Sequence, residues 1–381
     1  MNQPPLQPIH AFPYCHKIPG GHSNAIRGMV LAEISQGVDS LMFCPFCDDP
    51  LLEKLRRGTI VARRHGPAGD SADEQVFEVP LVVPRRVFHV HGVNRDVARV
   101  ARCLRRKSIP YVMTSHGTLN YRSRTHFLKK FIFLNFFSNL VREAKGIHLL
   151  SELGRERLHR LMPAWSGATV VAPHALQIPV PSQIMALSRV DFGIPSDGFL
   201  FLYLGRIDVH TKGLDMLVQA FSQLSAGDPI RLAFVGPDWA GGRAQLEALV
   251  QTLGCADRVH FLGPYYDAEK WAVLRLADAF VSPSRWDAGP VALLEAIGVG
   301  LPAITTTIIN PAPELAEHHA AYMCEPSVPA LARAMSTLMG DEALRKQLST
   351  DGQAWVMHDC SRAVVGQALA DFYERALAGR T

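Results

Sequence analysis

No apolar stretch of this 381-residue chain is long enough to cross a membrane. Charged residues interrupt every hydrophobic run before the ~18 residues that a spanning helix needs. Low-complexity segments and internal repeats are also missing, which excludes a repeat array. Residues 1–12 show no basic segment followed by an apolar core and a small-residue cleavage site, so no secretory leader is expected. The seven cysteines are odd in number and spread from Cys15 to Cys360, which is no disulfide framework. A reducing, cytoplasmic compartment is the expectation. No Asp-x-Asp triplet occurs, so a bridging divalent metal is not expected.

What is there describes a globular protein. With 48% hydrophobic and 19% charged residues, the chain is long enough for two domains. Its charge is uneven: residues 1–180 hold 24 Lys and Arg against 13 Asp and Glu, whereas residues 181–381 hold 15 against 22. The basic half suggests a negatively charged partner such as a lipid surface or a lipid-diphosphate acceptor. Nucleic acid fits less well, because the strand-like runs are apolar throughout rather than basic and aromatic on one face.

Strand-like runs at residues 9–14, 38–43, 76–83, 87–91 and 111–114 alternate with helical patterns at 23–36 and 96–106, which predicts a parallel α/β sheet. Proline-rich residues 173–181 precede a second series of strands at 199–204, 231–235, 259–262, 279–282 and 303–305, so the hinge is expected near 178–190.

The most informative stretch follows the strand at 279–282. A polar turn leads into helically spaced apolar residues over 291–299, which places Asp287 in a strand-to-helix loop and Glu295 about one turn inside the helix. Ligands of parallel sheets bind at such loops. At the helix start the N–H groups of Gly289 and Val291 are expected to lack helical acceptors, which suits a phosphate, and Pro290 has no N–H to lose. The strand at 199–204 runs similarly into Gly205, Arg206, Lys212 and Gly213 before an amphipathic helix over 216–224. Arg206 offers a planar fork of donors and Lys212 a compact charge, a combination matched to adjacent phosphates. Taken alone, both cations read equally well as solvated loop charges.

Gly205-Arg206 with Lys212-Gly213, then Ser282-Pro283-Ser284, then Asp287 and Glu295 at the E-x7-E spacing, together resemble the donor domain of retaining glycosyltransferases of the GT-B fold, family 4. Gly20-Gly21 after the first strand and Ser115-His116-Gly117 after the strand at 111–114 resemble the acceptor domain of that family. The resemblance covers nearly the whole chain. It implies an α/β protein with two Rossmann-like, doubly wound domains facing a central cleft. Residues 1–183 would bind the acceptor and 184–360 the nucleotide sugar, while 361–381 would cross back to the first domain as a helix.

The implied activity is retaining transfer of a hexosyl unit from a UDP- or GDP-sugar to a saccharide or lipid-linked acceptor, in polysaccharide or glycolipid biosynthesis, without metal or cofactor. Arg206, Lys212 and the Gly289 and Val291 amides would hold the diphosphate, and Glu295 would accept hydrogen bonds from the ribose. Asp287 and His116 would orient the transferred sugar. Gly20 and Gly21 would bring backbone close to it, and backbone around Gly263, Pro264 and Tyr265 would meet the base. The family usually carries Glu where Asp287 stands, one methylene longer. That departure keeps open a second reading, a catalytically degenerate GT-B protein that binds a nucleotide sugar or a partner without transfer.

Other signals carry less. Cys44-Pro45-Phe46-Cys47 has the CxxC form but follows a second strand, where a redox domain would begin with it. His89 and His91 share one strand face as a metal pair would, yet no further ligands accompany them at ligand spacing, so packing at the strand end is the expectation. Residues 124–142 interleave phenylalanines with Lys129, Lys130 and Arg142, which reads either as a core helix or as one lying in an anionic membrane interface. Arg99, Arg102, Arg105, Arg106 and Lys107 read as a solvated helix face or part of the same basic surface.

Overall fold

A computed structural model describes residues 4–11, 21–43, 59–64, 75–80, 82–93, 95–117, 138–224 and 229–379. The chain divides into two compact units, Met1–Gln177 with Asp359–Thr381, and Ile178–His358.

The first unit runs β1 (Gln7–Ala11), α1 (Gly21–Ser35), β2 (Leu41–Phe43), β3 (Thr59–Arg64), β4 (Gln75–Pro80), β5 (Arg86–His91), α2 (Arg95–Arg106), β6 (Tyr111–Thr114), α3 (Ser138–Arg142), β7 (Gly146–Leu149), α4 (Glu152–Leu161) and β8 (Ala168–Val171). Its sheet has the order β4-β3-β2-β1-β5-β6-β7-β8. Strands β2, β1, β5, β6, β7 and β8 are mutually parallel, and β3 is antiparallel to both its neighbours. Every residue of β5 is buried, as a parallel strand covered on both faces requires. Sequence periodicity did not reveal β3, β7 or β8. The first carries a pair of arginines and sits beside the edge strand, where polar residues are tolerated; the other two have only four residues each.

Register gives the two faces of this sheet different chemistry. His10 lies beside His89, His91 beside Thr114, and Thr114 beside His148, so alternation puts all five on one face. On the other face Ile9, Phe88, Val90 and Met113 form a core with Val97, Val100 and Leu104 of α2.

The second unit runs β9 (Phe199–Leu204), α5 (Leu214–Ser222), β10 (Ile230–Val235), α6 (Gly242–Thr252), β11 (Val259–Leu262), α7 (Asp267–Leu276), β12 (Ala279–Ser282), α8 (Val291–Gly298), β13 (Ala303–Thr306), α9 (Ala312–Glu317), β14 (Tyr322–Cys324), α10 (Val328–Gly340) and α11 (Glu342–Asp359). Its six strands are parallel in the order β11-β10-β9-β12-β13-β14. That is the doubly wound order in which the chain starts at the centre, moves to one edge, then returns to build the other half. The reversal leaves a crevice at the carboxyl ends of β9 and β12.

The last helix, α12 (Arg362–Ala378), belongs to the first unit. Its Val365, Leu369, Phe372 and Tyr373 close a core with Ile26, Met29 and Val30 of α1 and with Val87 and Val112 of the sheet. Helices α1 and α12 approach closely because Gly366 presents no side chain: a Cβ there would lie 2.3 Å from the carbonyl oxygen of Ala32. Gly340, at the end of α10, has open space around it instead. Gly366→Ala should therefore lower stability by about 1–3 kcal/mol through overpacking. Gly340→Ala should raise it by about 0.4–1 kcal/mol through the unfolded chain. Urea denaturation of both variants checks the pair, and equal effects would contradict this packing.

The histidine face lies under the same helices and is sealed from water. His89 bonds through Nδ1 to the Tyr373 hydroxyl (2.7 Å) and through Nε2 to the Thr114 hydroxyl (2.6 Å). His148 donates from Nε2 to the carbonyl of Ala172 (2.8 Å). Burial holds the His89 pKa well below its ordinary value of 6.5 and pulls His148 down to about 4. An unfolded chain takes up these protons near pH 6.5 and the folded chain does not. Stability should accordingly fall as the pH drops from 6.5 toward 4, by up to about 1.4 kcal/mol per pH unit for each histidine. Denaturation midpoints measured across that interval test this, and a flat profile would refute it.

Candidate functional site

In the second unit, two loops meet at the crevice between β9 and β12. Gly213 caps α5 in a left-handed conformation (φ +67°), and a Cβ on it would lie 2.2 Å from the Pro283 carbonyl oxygen. Only glycine allows both the conformation and the approach. Arg285 fastens the loops together: its backbone N–H bonds Thr211 O (3.0 Å), its guanidinium bonds His210 O (2.9 Å), and it pairs in bidentate fashion with Asp215 (2.6 and 2.7 Å). Burial works against the Asp215 carboxylate, but hydrogen bonding to Arg285 and its charge outweigh it and hold the pKa below the ordinary value.

This clamp brings Lys212 and Asp287 together, Nζ to Oδ2 at 2.5 Å, with their side chains 21% and 12% exposed. One step behind them, Glu295 of α8 is buried and accepts from Lys270 of α7 at 2.7 Å. Burial pushes the Glu295 pKa up, opposed by the charge and hydrogen bond of Lys270. Nothing in the sequence singled out Lys270, because only the fold puts α7 beside α8. The Gly263, Pro264 and Tyr265 segment leads directly into α7; Gly263 is exposed, and Tyr265 packs edge-on against Phe192 (5.0 Å between ring centroids).

Two sets of expected ligand donors are engaged elsewhere in the structure. The amides of Gly289 and Val291 are engaged within their own loop: Gly289 N–H bonds Asp287 Oδ1 (3.3 Å), and Val291 N–H bonds Gly289 O (2.9 Å). A short acidic side chain two residues before an amide captures it in an Asx-type turn, so these donors already have acceptors. Pro290 is the N-cap of α8, and Leu294 is the first residue to bond back, to Pro290 O (3.1 Å). Helix geometry therefore moves the open donors of the first turn to Ala292 and Leu293. Arg206, expected beside Lys212 on a common ligand, lies exposed with its guanidinium 4.4 Å above the Trp239 ring and makes no ion pair with a described residue. Its carbonyl is held by the Tyr203 hydroxyl (2.8 Å). The β12–α8 loop also contains two groups that the motifs did not indicate. Ser284 Oγ and Trp286 Nε1 are both buried, and neither has a hydrogen-bond partner among the described residues.

In the first unit, Gly21 opens α1, and Gly20 lies outside the described residues. His116 and Gly117 follow β6 with φ of +43° and +81°. The left-handed region is uncommon for any residue with a Cβ and often marks a functional turn. The half-buried His116 ring stacks on His174 (centroids 5.6 Å apart, 14° between planes). Its Nε2 lies 2.8 Å from His91 Nδ1, His91 Nε2 lies 3.0 Å from His10 Nδ1, and His10 Nε2 lies 2.9 Å from a Glu33 oxygen. His10, His89 and His91 bring one ring nitrogen each within 4.8 Å of the others, the only such group among the described residues. A metal there would take one ring nitrogen from each histidine and displace the hydrogen bond which that nitrogen makes, and in the structure those nitrogens are engaged in the hydrogen-bond network with Glu33, His116, Tyr373 and Thr114.

Of the weaker signals, Cys44 to Cys47 lies outside the described residues, as does 124–137. The remaining residues of the 124–142 stretch, Ser138–Arg142, form α3, where Ser138, Leu140 and Val141 are buried. Arg99, Arg102, Arg105 and Arg106 are exposed on α2.

With this geometry in view, comparison with known proteins shows what the chain is similar to. Residues 186–355 match the family described as Glycosyl transferases group 1. A lipopolysaccharide core biosynthesis glycosyltransferase, LpsD of Rhizobium meliloti, is 31% identical over 196 residues, which cover 51% of this chain and 54% of that protein. The match thus spans about half of that relative's length. Among solved structures, sucrose-phosphate synthase of Thermosynechococcus elongatus superposes with a TM-score of 0.72 at 20% identity, covering 98% of this chain and 99% of that one. HepE of Anabaena, solved in complex with UDP and glucose, reaches 0.72 at 16% identity over 97% and 99% of the respective chains. The protein has the α/β GT-B fold, and residues 186–355 are similar to the group 1 glycosyl transferases.

Proposed function

We propose that the protein is a glycosyltransferase that moves a hexosyl unit from a UDP- or GDP-sugar, with retention, onto a saccharide or lipid-linked acceptor in polysaccharide or glycolipid biosynthesis. One observation carries the reading: two lysine–carboxylate pairs, Lys212–Asp287 and Lys270–Glu295, stand at the topological switch point of the second unit. The name of the Rhizobium meliloti relative and the UDP and glucose held by HepE support the activity and the donor class.

In this reading a bound diphosphate takes Lys212 as its counter-ion. Lys212 then stabilises the negative charge that grows on the leaving phosphate, usually the largest contribution to such a transfer. Asp287, relieved of its lysine, accepts hydrogen bonds from hydroxyls of the transferred sugar. Arg206 swings from Trp239 to the second phosphate, a small cost for an exposed side chain. Glu295 accepts from the ribose hydroxyls, and Lys270 keeps it ionised against its burial. His116 hydrogen-bonds the transferred sugar.

Lys212→Ala should lower kcat about 10²–10³-fold, the usual loss when one donor to a developing anion is removed. Lys270→Met should weaken UDP or GDP binding about 10–100-fold, the worth of charge-assisted hydrogen bonds to the ribose. Calorimetric titration with both nucleotides, followed by turnover of a panel of nucleotide sugars, tests these roles. Failure to bind either nucleotide would overturn the reading.

Asp287 favours one rival, a protein that binds a nucleotide sugar without transfer, because its short side chain is already tied to Lys212 and to the Gly289 amide. Binding without turnover for every donor and acceptor tried would select it. Peripheral membrane association through the basic first unit is part of the proposal. The exposed arginines of α2 should hold the protein on anionic vesicles at low salt and release it as salt screens them. Absence of retention at low salt would remove this element.

A further inference from the structure

Arg206 differs from the lysines of the second unit's site in what holds it when no ligand is bound. Lys212 and Lys270 each face a carboxylate, whereas the Arg206 guanidinium has the indole of Trp239 as its one partner among the described residues. The carboxylates of the two loops that carry this pair are turned to backbone instead. Asp208 Oδ1 accepts from the Thr211 amide (3.1 Å), and Asp238 accepts from the amides of Gly241 and Arg243 (3.2 and 2.7 Å). An exposed tryptophan is by itself unremarked on a protein surface. A cation without an acid, stacked on that tryptophan beside a site for anions, is more informative.

The loops after β9 and β10 are locked together, which fixes where the two residues start. Ile207 N–H bonds Pro237 O (2.9 Å), and α6 begins against the Ile207 carbonyl because Gly242 has no side chain: a Cβ there would lie 2.0 Å from that oxygen. Gly242 N–H closes the turn on Trp239 O (3.0 Å), and the indole is left 51% exposed. The Arg206 carbonyl accepts from the Tyr203 hydroxyl and from Asp208 N–H, both at 2.8 Å. Both backbones are thus tied, and the remaining freedom is in the side chains. Topology gives the stack a direction. Trp239 follows β10 and Asp287 follows β12, on opposite sides of the strand β9 that leads to Arg206 and Lys212. A phosphate beside Lys212 therefore competes with the ring for the guanidinium.

We propose that Trp239 is a positioning residue that competes with the bound diphosphate for Arg206, loosening the hold on nucleotide and favouring release of the nucleoside diphosphate product. The inference rests on the function proposed above. A guanidinium–phosphate bond is charge-assisted and stronger than a cation–π contact at an exposed site, so the ligand draws Arg206 away from the ring. A contact made only in the free protein subtracts its worth from binding, because affinity follows the difference between the free and bound states. For an exposed cation–π contact that difference is a factor of about two to five.

Calorimetric titration of Trp239→Leu with UDP or GDP, whichever the unmodified protein binds, should give a dissociation constant about two- to fivefold lower. Trp239→Phe, which keeps a weaker π face, should fall between the two. In an Arg206→Ala background the leucine substitution should change nothing, since the ring then has no cation to hold. A loop that was merely disturbed would bind nucleotide more weakly, so the gain in affinity separates competition from a structural role. The unmodified protein supplies a second readout. Its Trp239 indole NMR signal, assigned through Trp239→Phe, should move when nucleotide is added, and Arg206→Ala should move it in the same direction without nucleotide. Equal or weaker binding by Trp239→Leu, or an indole signal that nucleotide leaves in place, would overturn the proposal and leave the glycosyltransferase reading intact. Failure of both nucleotides to bind the unmodified protein would overturn that reading and this inference with it.

Discussion

Strands buried on both faces can offer function only at their ends, and the rest of this structure follows from that constraint. Residues 199–204 are wholly apolar and sit at the centre of a six-stranded parallel sheet. Its four central residues are buried and only Phe199 and Leu204 at the ends are partly exposed, so polar chemistry is displaced into the loops beyond its carboxyl end. The doubly wound order then separates two of those loops, after β9 and after β12, and opens the crevice that Lys212 and Asp287 share.

Within that crevice each acid is matched to a base. Isolated surface ion pairs contribute little, but the Lys270–Glu295 pair is largely shielded from water. Removing either partner there would leave an uncompensated charge, which is where such pairs exert most of their effect. Lys212 and Asp287 are somewhat more accessible, so their bond can be exchanged for bonds to a ligand. The result is a site with its charges already oriented in the absence of ligand, held by the Arg285 clamp and by the close contact that Gly213 permits.

The first unit departs from the apolar norm in its interior. Its sheet carries a row of histidines beneath α1 and α12 where hydrophobic residues would suffice for stability. Partly satisfied polar networks are costly and satisfied ones are rigid. Here Tyr373, Glu33, Ser40 and Thr114 supply the partners from three different elements and the α1–β2 connection, so the row is ordered by the same packing that buries it.

Much of the fold was legible in the chain, and the reasons are physical. Strands at 199–204, 259–262 and 279–282 could be placed to the residue because apolar runs of that length, bounded by turn residues, have few alternatives. Strand β3 escaped notice because, beside the edge strand, it needs no apolar pattern. Of the candidate site, Lys212 and Asp287 could be singled out from local motifs, since each sits in a strand-to-helix loop. Lys270 could not, because its significance is a distance to Glu295 across two helices. The engaged amides of Gly289 and Val291 were equally hidden, since a hydrogen bond to Asp287 Oδ1 depends on a side-chain rotamer. By itself, then, the sequence determined the class of fold, the strand ends where chemistry gathers, and the types of side chain found there, because periodicity and turn chemistry are local. Only tertiary structure decided which charge faces which, and that His10, His91 and His116 join in one hydrogen-bonded row, because those relations arise between residues distant in the chain.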